Sequence, residues 1–299
     1  MHPEAKTTMP VPASTGEMPS LVGLIGHPVA GNPTGPMLEA TFAHHGLDWR
    51  YVSMDVLPER LAPAVAGLAA LGFRGFHVTV PHKVAVVGHM DRLTEAAALI
   101  GAVNCVIAEG DGWLGENTDG KGFLESLEAV VDPKGLRVCL LGAGGAARAV
   151  AVELALAGAR SIEIVNRDAT RARVLADLIA DRTTARSSVR SWSAPIKIGA
   201  AVDLVVNATS LGLNDPDAGP ELDFSRAAGP LVADVVVHPP LTRLLREAGV
   251  AGLRTLDGQG MLVNQGARGF RLWTGIEPDR AVMRAALAAH ASGPGEDLA

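Results

Sequence analysis

The chain has 299 residues, 48% of them hydrophobic and 4% aromatic, enough apolar material for two ordinary domains with separate cores. Its net charge of -6 comes without a basic run, so it lacks the electrostatic footprint of a nucleic-acid binder, and small molecules are the better partners. Only Cys105 and Cys139 are present, both inside apolar strand-like runs; they make no disulfide framework, and a cytoplasmic location fits.

Residues 1–20, MHPEAKTTMPVPASTGEMPS, carry prolines and charges but no continuous apolar run. They read as a loose tail, neither signal peptide nor membrane span. LVGLI (21–25) reads as a buried strand, PMLEATFAHHG (36–46) as a helix closed by Gly46, and WRYVSMDV as a second strand. A helix over ERLAPAVAGLAALG and a third strand in GFHVTV follow. Strand alternating with helix predicts a parallel α/β sheet. The segments VGHMDRLTEAAALIG, AVNCVIAE and GWLGENTDG continue this first unit, and turn residues in VDPKGL (131–136) mark a break.

Beyond the break, RVCLLGAGGAARAVAVELALAGARSIEIVNR is strand, glycine turn, helix and strand in the length of one βαβ unit. Gly142, Gly144 and Ala147 match the G-x-G-x-x-G/A spacing of a Rossmann dinucleotide site: a tight turn, a close approach for pyrophosphate, and a small residue where helix meets strand. At the end of the second strand, where an NAD enzyme places an acid against the ribose 2′-hydroxyl, stand Asn166, Arg167 and Asp168, with Arg171 one turn on. Two guanidiniums suit the 2′-phosphate of NADP, although Asp168 opposes it unless an arginine neutralises its charge; NAD remains the alternative. DLVVNAT and LVADVVV add strands, and 181–200 reads as a loop with at most a short strand. Two C-terminal helices, MLVNQGARGFRLWTG and DRAVMRAALAAHA, precede a tail at 292–299.

Lys83, in HVTVPHK, follows Pro81 at a place where a helix is expected to start, a site the helix macrodipole disfavours for a cation. Asp119, in ENTDG, precedes the helix KGFLESLEAV and could be its N-cap or a partner for a cation. His77, His82 and His89, with Asp91 nearest, match no common ligand spacing, so no metal is expected.

Taken together, VTVPHK, IGAVNC, ENTDGKG, LLGAGGAARA, VNR, NATSLG, GQGMLVNQ and LWTG resemble, in order, the blocks of the shikimate/quinate dehydrogenase family, over about residues 21 to 290. The resemblance implies a two-domain α/β protein: a parallel-type substrate domain at 21–120 plus 262–291, and a Rossmann NADP-binding domain at 121–261. It also implies a catalytic pair, Lys83 and Asp119, passing a proton to or from the substrate oxygen while hydride moves between the ring carbon and the nicotinamide, as between 3-dehydroshikimate and shikimate. Substrate contacts are implied at Asn32, Thr34, His77, Thr79, Asn104 and Gln265. Cofactor contacts are implied at Gly142, Ala143, Gly144, Gly145 and Ala146 in the turn, at Asn166, Arg167 and Arg171, and at Thr209, Val235, Gly258 and Met261.

The likeness breaks at one end of the substrate. The family's Ser-x-Ser pair, which holds a carboxylate, is Asn32 and Thr34 in GHPVAGNPTGP; its tyrosine after a cofactor-domain strand is Val237; its asparagine before VTVP is His77. Quinate, aminoshikimate or another cyclitol is therefore an alternative substrate, and a non-catalytic sensor of nucleotide or metabolite is a reading from another class, disfavoured by retention of Lys83 and Asp119. A monomer or homodimer without membrane attachment is expected.

Overall fold

The computed structural model describes residues 18–213 and 215–291. They form two compact units, one made of residues up to Leu93, Val103–Glu116 and the chain from Gly266 onward, the other of Thr94–Ala102 and Asn117–Gln265.

The chain begins with β1 (Ser20–Gly26), α1 (Thr34–His44), β2 (Trp49–Asp55), α2 (Leu61–Ala70) and β3 (Gly75–Val78). It then turns into a short 3-10 helix, Ala85–His89, and reaches β4 (Arg92–Leu93). Lys83 thus lies in a turn ahead of one 3-10 turn, not at the start of an α-helix, and the expected macrodipole penalty has no long helix to arise from. Next comes α3 (Glu95–Ile100), which belongs to the second unit and interrupts the stretch expected as continuous from 21 to 120. The cause is tertiary: Arg148 Nε donates to Ile100 O at 2.7 Å, and Ile100 and Ala102 are fully buried in the second unit's core. The hairpin β5 (Cys105–Glu109) and β6 (Gly112–Glu116) then joins the first unit. Its sheet has the order β2-β1-β3-β5-β6-β4; β2, β1 and β3 run parallel, and the hairpin extends them antiparallel.

The second unit continues with α4 (Asp119–Glu128), β7 (Arg137–Leu141), α5 (Gly145–Leu156), β8 (Ser161–Asn166), α6 (Ala169–Arg182), β9 (Arg186–Ser191) and β10 (Ile196–Lys197). After them come β11 (Leu204–Asn207), β12 (Leu222–Asp223), β13 (Leu231–Asp234), α7 (Arg243–Val250) and β14 (Thr255–Leu256). The last helices are α8 (Gln259–Thr274), inside which the division between units falls, and α9 (Arg280–Ala291). Six parallel strands run in the order β14-β13-β11-β7-β8-β9, so the sheet grows outward both ways from β7, the topology of a doubly wound dinucleotide fold. Residues 181–200, expected as mostly loop, contain the six-residue edge strand β9 and the short β10.

Both faces of the central strands are covered, which is why they read as unbroken apolar runs. Val138 and Leu140 of β7, Ile162 and Ile164 of β8 and Val206 of β11 pack with α4 and α5 on one face. Cys139, Leu141, Val165 and Val205 point to the other, against Leu244 and Leu245 of α7. Burial pushes the Cys139 thiol up to about 11, so it behaves as a small apolar group. The close approach of α4 to α5 is set by Gly120, where a Cβ would lie 2.4 Å from the Ala149 carbonyl oxygen. Gly120→Ala is accordingly expected to lower the free energy of unfolding by about 1–3 kcal/mol. Urea denaturation checks this, and a wild-type midpoint would show that the two helices part without cost.

Candidate active site

In the first unit, Asn32, Thr34, Thr79 and Lys83 lie beyond the carboxyl ends of parallel strands, where α/β folds place ligands, while His77 lies within β3 and Asn104 just ahead of β5. The loop after β1 carries Asn32 and Thr34, and the loop after β3 carries Thr79 and Lys83; His27 N donates to Val80 O at 2.9 Å and ties the loops together. Asn32 is not a free side chain: its Oδ1 accepts from Thr34 N at 3.0 Å, closing a turn that launches α1, and Thr34 is buried in the first turn of that helix.

Lys83 is half-buried, and its backbone is fastened on both sides. Thr79 N donates to Ile25 O, His82 N to Thr79 O and Val103 N to Lys83 O, all at 2.8–2.9 Å. The His82 ring, 1% exposed, reaches Val56 O beyond β2 at 2.6 Å; a carbonyl only accepts, so Nε2 carries the hydrogen. Asn104 is buried, its backbone bonded to Val78 and Glu116. His77 is also buried, with Nδ1 2.9 Å from the Tyr51 hydroxyl and its ring 4.6 Å from that of Trp273. Burial, assisted by nearby Cys105, raises the Tyr51 pKa well above its ordinary value, so Tyr51 is a neutral phenol against His77.

In the second unit, Asp119 is 7% exposed and is the first residue of α4; Thr118 holds the cap position, so Asp119 is not the N-cap. Asn117 sets its backbone, accepting from Asp119 N at 3.2 Å while donating Nδ2 to Ala102 O at 3.0 Å. One turn along α4, Gly122 lies against Met261 and Gln265 of α8, which brings Gln265 and Asp119 into the same region of this unit.

The glycine turn joins β7 to α5. Gly142 has φ +110 and faces the Ala208 carbonyl, a conformation and a space that a side chain would spoil. Nothing among the described residues approaches the Cβ direction of Gly144 or Gly145, and Ala147, in the first turn of α5, is fully buried. An open turn feeding the N-terminus of a twelve-residue helix fits a dinucleotide pyrophosphate. At the end of β8, Asp168 caps α6: its Oδ1 accepts from Thr170 N at 2.9 Å and Arg171 N at 3.1 Å, and its Oδ2 lies 3.5 Å from Arg171 Nε. The carboxylate that opposed a 2′-phosphate is thus engaged by a helix terminus and an arginine.

Thr209, Val235, Gly258 and Met261 also come together, around the ends of β11 and β13. Asn207 Oδ1 accepts from Thr209 N and Oγ1, and Val235 N donates to Asn207 O. Gly258 packs on the Val235 and Val236 carbonyls. Behind them Asp234, 1% exposed, accepts from Asn207 Nδ2, Val236 N and Thr242 Oγ1 at 2.7–3.0 Å. Burial raises its pKa, and these three bonds oppose the rise. Asn117, His82 and Asp234 carry no motif of their own: each holds a backbone through at least one bond to a residue on another element, Ala102, Val56 and Asn207 respectively.

Comparison with known proteins matches residues 24–106 to the family described as shikimate dehydrogenase substrate binding domain, 126–212 to shikimate/quinate 5-dehydrogenase, and 258–288 to shikimate 5′-dehydrogenase C-terminal domain. A shikimate dehydrogenase (NADP(+)) of Rubrobacter xylanophilus is 46% identical over 282 residues, 93% of this chain and 99% of the relative. The chain belongs to the shikimate dehydrogenase family. Among solved members, 5-ketofructose reductase of Gluconobacter sp. strain CHM43 is 50% identical, with TM-score 0.85 over 91% of this chain and 98% of that one. Shikimate 5-dehydrogenase of Thermus thermophilus, solved with NADP(H) and shikimate, is 36% identical, with TM-score 0.81 over 91% and 99%. No described helix is long and apolar enough to cross a membrane.

Replacing His82 by Leu leaves the Val56 carbonyl without its donor and is expected to cost about 1–3 kcal/mol of stability. The Val103 amide, which holds Lys83 O, should then exchange faster with solvent deuterium; unchanged exchange would show that the Lys83 turn does not depend on His82.

Proposed function

We propose that this chain is an NADP-dependent dehydrogenase interconverting a shikimate-like ring alcohol and its ketone. The observation that carries this reading is near full-length similarity to NADP(+) shikimate dehydrogenases, together with an open glycine turn of the right form. Gly142 to Ala146 hold the pyrophosphate, Asn166, Arg167 and Arg171 the 2′-phosphorylated ribose, and Thr209, Val235, Gly258 and Met261 the nicotinamide end. When bound, the reduced nicotinamide supplies hydride to the carbonyl carbon. Lys83 and Asp119 act as the proton-transfer pair at that carbonyl's oxygen: the Lys83 ammonium donates the proton, and the Asp119 carboxylate bonds to and orients the hydroxyl as it forms. Thr79, Asn104 and Gln265 bind the ring hydroxyls, with Asn32, Thr34 and His77 at the remodelled end. The protein works in the cytoplasm as a monomer or homodimer, without nucleic-acid partners.

A second reading has a specific observation behind it: identity is higher to the 5-ketofructose reductase, at 50%, than to the Rubrobacter and Thermus shikimate enzymes. On that reading the substrate is a neutral polyhydroxy ketone, and the exchange of two serines for Asn32 and Thr34 reflects a ligand with no carboxylate to hold. NADPH oxidation with 3-dehydroshikimate and with 5-ketofructose, followed by absorbance over a range of concentrations, separates the two. Saturable turnover of 3-dehydroshikimate is expected; turnover of 5-ketofructose alone would replace the first reading with the second.

Either substrate needs the proton donor. Lys83→Ala and Asp119→Asn are each expected to lower turnover by roughly 10²- to 10⁴-fold while leaving NADP affinity nearly intact. Turnover at the wild-type rate in either variant would remove that residue from proton transfer.

A further inference from the structure

We propose that Trp192 is a positioning residue that sets the preference for NADP over NAD by holding Arg167 at the end of β8. The inference rests on the reading above, in which Arg167 meets the 2′-phosphate. β8 and β9 are paired from Ser161↔Arg186 to Asn166↔Ser191, and the next residue, Trp192, donates its backbone N–H to Asn166 O at 3.2 Å. The residue after β9 is therefore fixed beside the strand end where a doubly wound fold discriminates between the two nucleotides. The indole is partly buried and packed against the apolar cluster that includes Leu141, Val165 and Ile196, which restrains it. Above it lies Arg167, an otherwise exposed side chain, with Cζ 5.4 Å from the ring centroid.

A guanidinium held over an aromatic ring by a cation–π contact spends none of its N–H donors on a hydrogen-bond acceptor, so they stay available for a phosphate. The contact also restrains a long side chain before the ligand arrives, so less freedom is lost on binding. Asp168 does not compete for Arg167 in this arrangement, since it caps α6 and faces Arg171. The aromatic platform should therefore strengthen binding of a 2′-phosphate and leave a nucleotide without one unaffected.

Calorimetric titration with 2′,5′-ADP and with 5′-AMP tests this on the intact chain, without need of a substrate. Trp192→Leu keeps an apolar group on the cluster but removes the π face. It is expected to weaken 2′,5′-ADP by roughly 2- to 30-fold and leave 5′-AMP unchanged, with Trp192→Phe showing a smaller loss in the same direction. Wild-type affinity for 2′,5′-ADP in Trp192→Leu, or equal loss of both ligands, would overturn the proposal. Arg167→Ala separates the two levels of inference. If it abolishes the preference while Trp192→Leu does not, the positioning role alone fails; if it leaves the preference intact, the assignment of Arg167 to the 2′-phosphate fails with it. Should Trp192→Leu not fold by circular dichroism, Trp192→Phe decides: loss confined to 2′,5′-ADP supports the role, and unchanged affinity overturns it.

Discussion

The arrangement of this protein follows from burying parallel strands on both faces. A strand such as β7, with Val138 and Leu140 on one face and Cys139 and Leu141 on the other, has no exposed side on which to carry polar function. Room for polar side chains is therefore greatest where the strands stop. Each unit shows this separately: the loops after β1 and β3 bear Asn32, Thr34, Thr79 and Lys83 in the first, and the ends of β7, β8, β11 and β13 bear the glycine turn, Arg167, Thr209 and Val235 in the second.

Loops at such places are held by buried polar groups, each costly unless paired. Asp234 shows how this is managed: three donors converge on a carboxylate that burial would otherwise favour in its neutral form, and through Asn207 the same network fixes Thr209. His82 and Asn117 act likewise for the backbones of Lys83 and Asp119. The backbones of Lys83, Asp119 and Thr209 are thus positioned by buried polar neighbours.

Much of this was legible in the sequence because it depends on local spacing. The apolar runs of β7, β8, β11 and β13 and the glycine turn before α5 could be read directly, and the ordered blocks carried the family. What escaped notice had no local signature. β9, RSSVRS, sits at a sheet edge with no fully buried residue, so it lacks the apolar run that marked its neighbours. α3 reads as a continuation of the first unit because what ties it to the second, the bond from Arg148 to Ile100 and the burial of Ile100 and Ala102 in that unit's core, comes from chain far beyond it in sequence. Asp168 reads as an obstacle to a phosphate, since its use as a helix cap requires geometry that composition does not reveal. The contact of Trp192 with Arg167 depends on the pairing of β8 with β9, an edge strand that left no apolar run to read.

The first unit is not a contiguous stretch of chain, and this bears on how the protein is made. Its core includes Phe270, stacked on Phe42 at 5.3 Å, and Trp273, whose Nε1 donates to Val106 O at 2.9 Å, while α9 packs against α1. During synthesis the β-strands that emerge first must therefore wait for the last two helices before their core can close. The nucleotide-binding sheet, whose strands all lie between residues 137 and 256, can be complete before then. A ribosome thus releases the segments in one order and the two cores can close in the other.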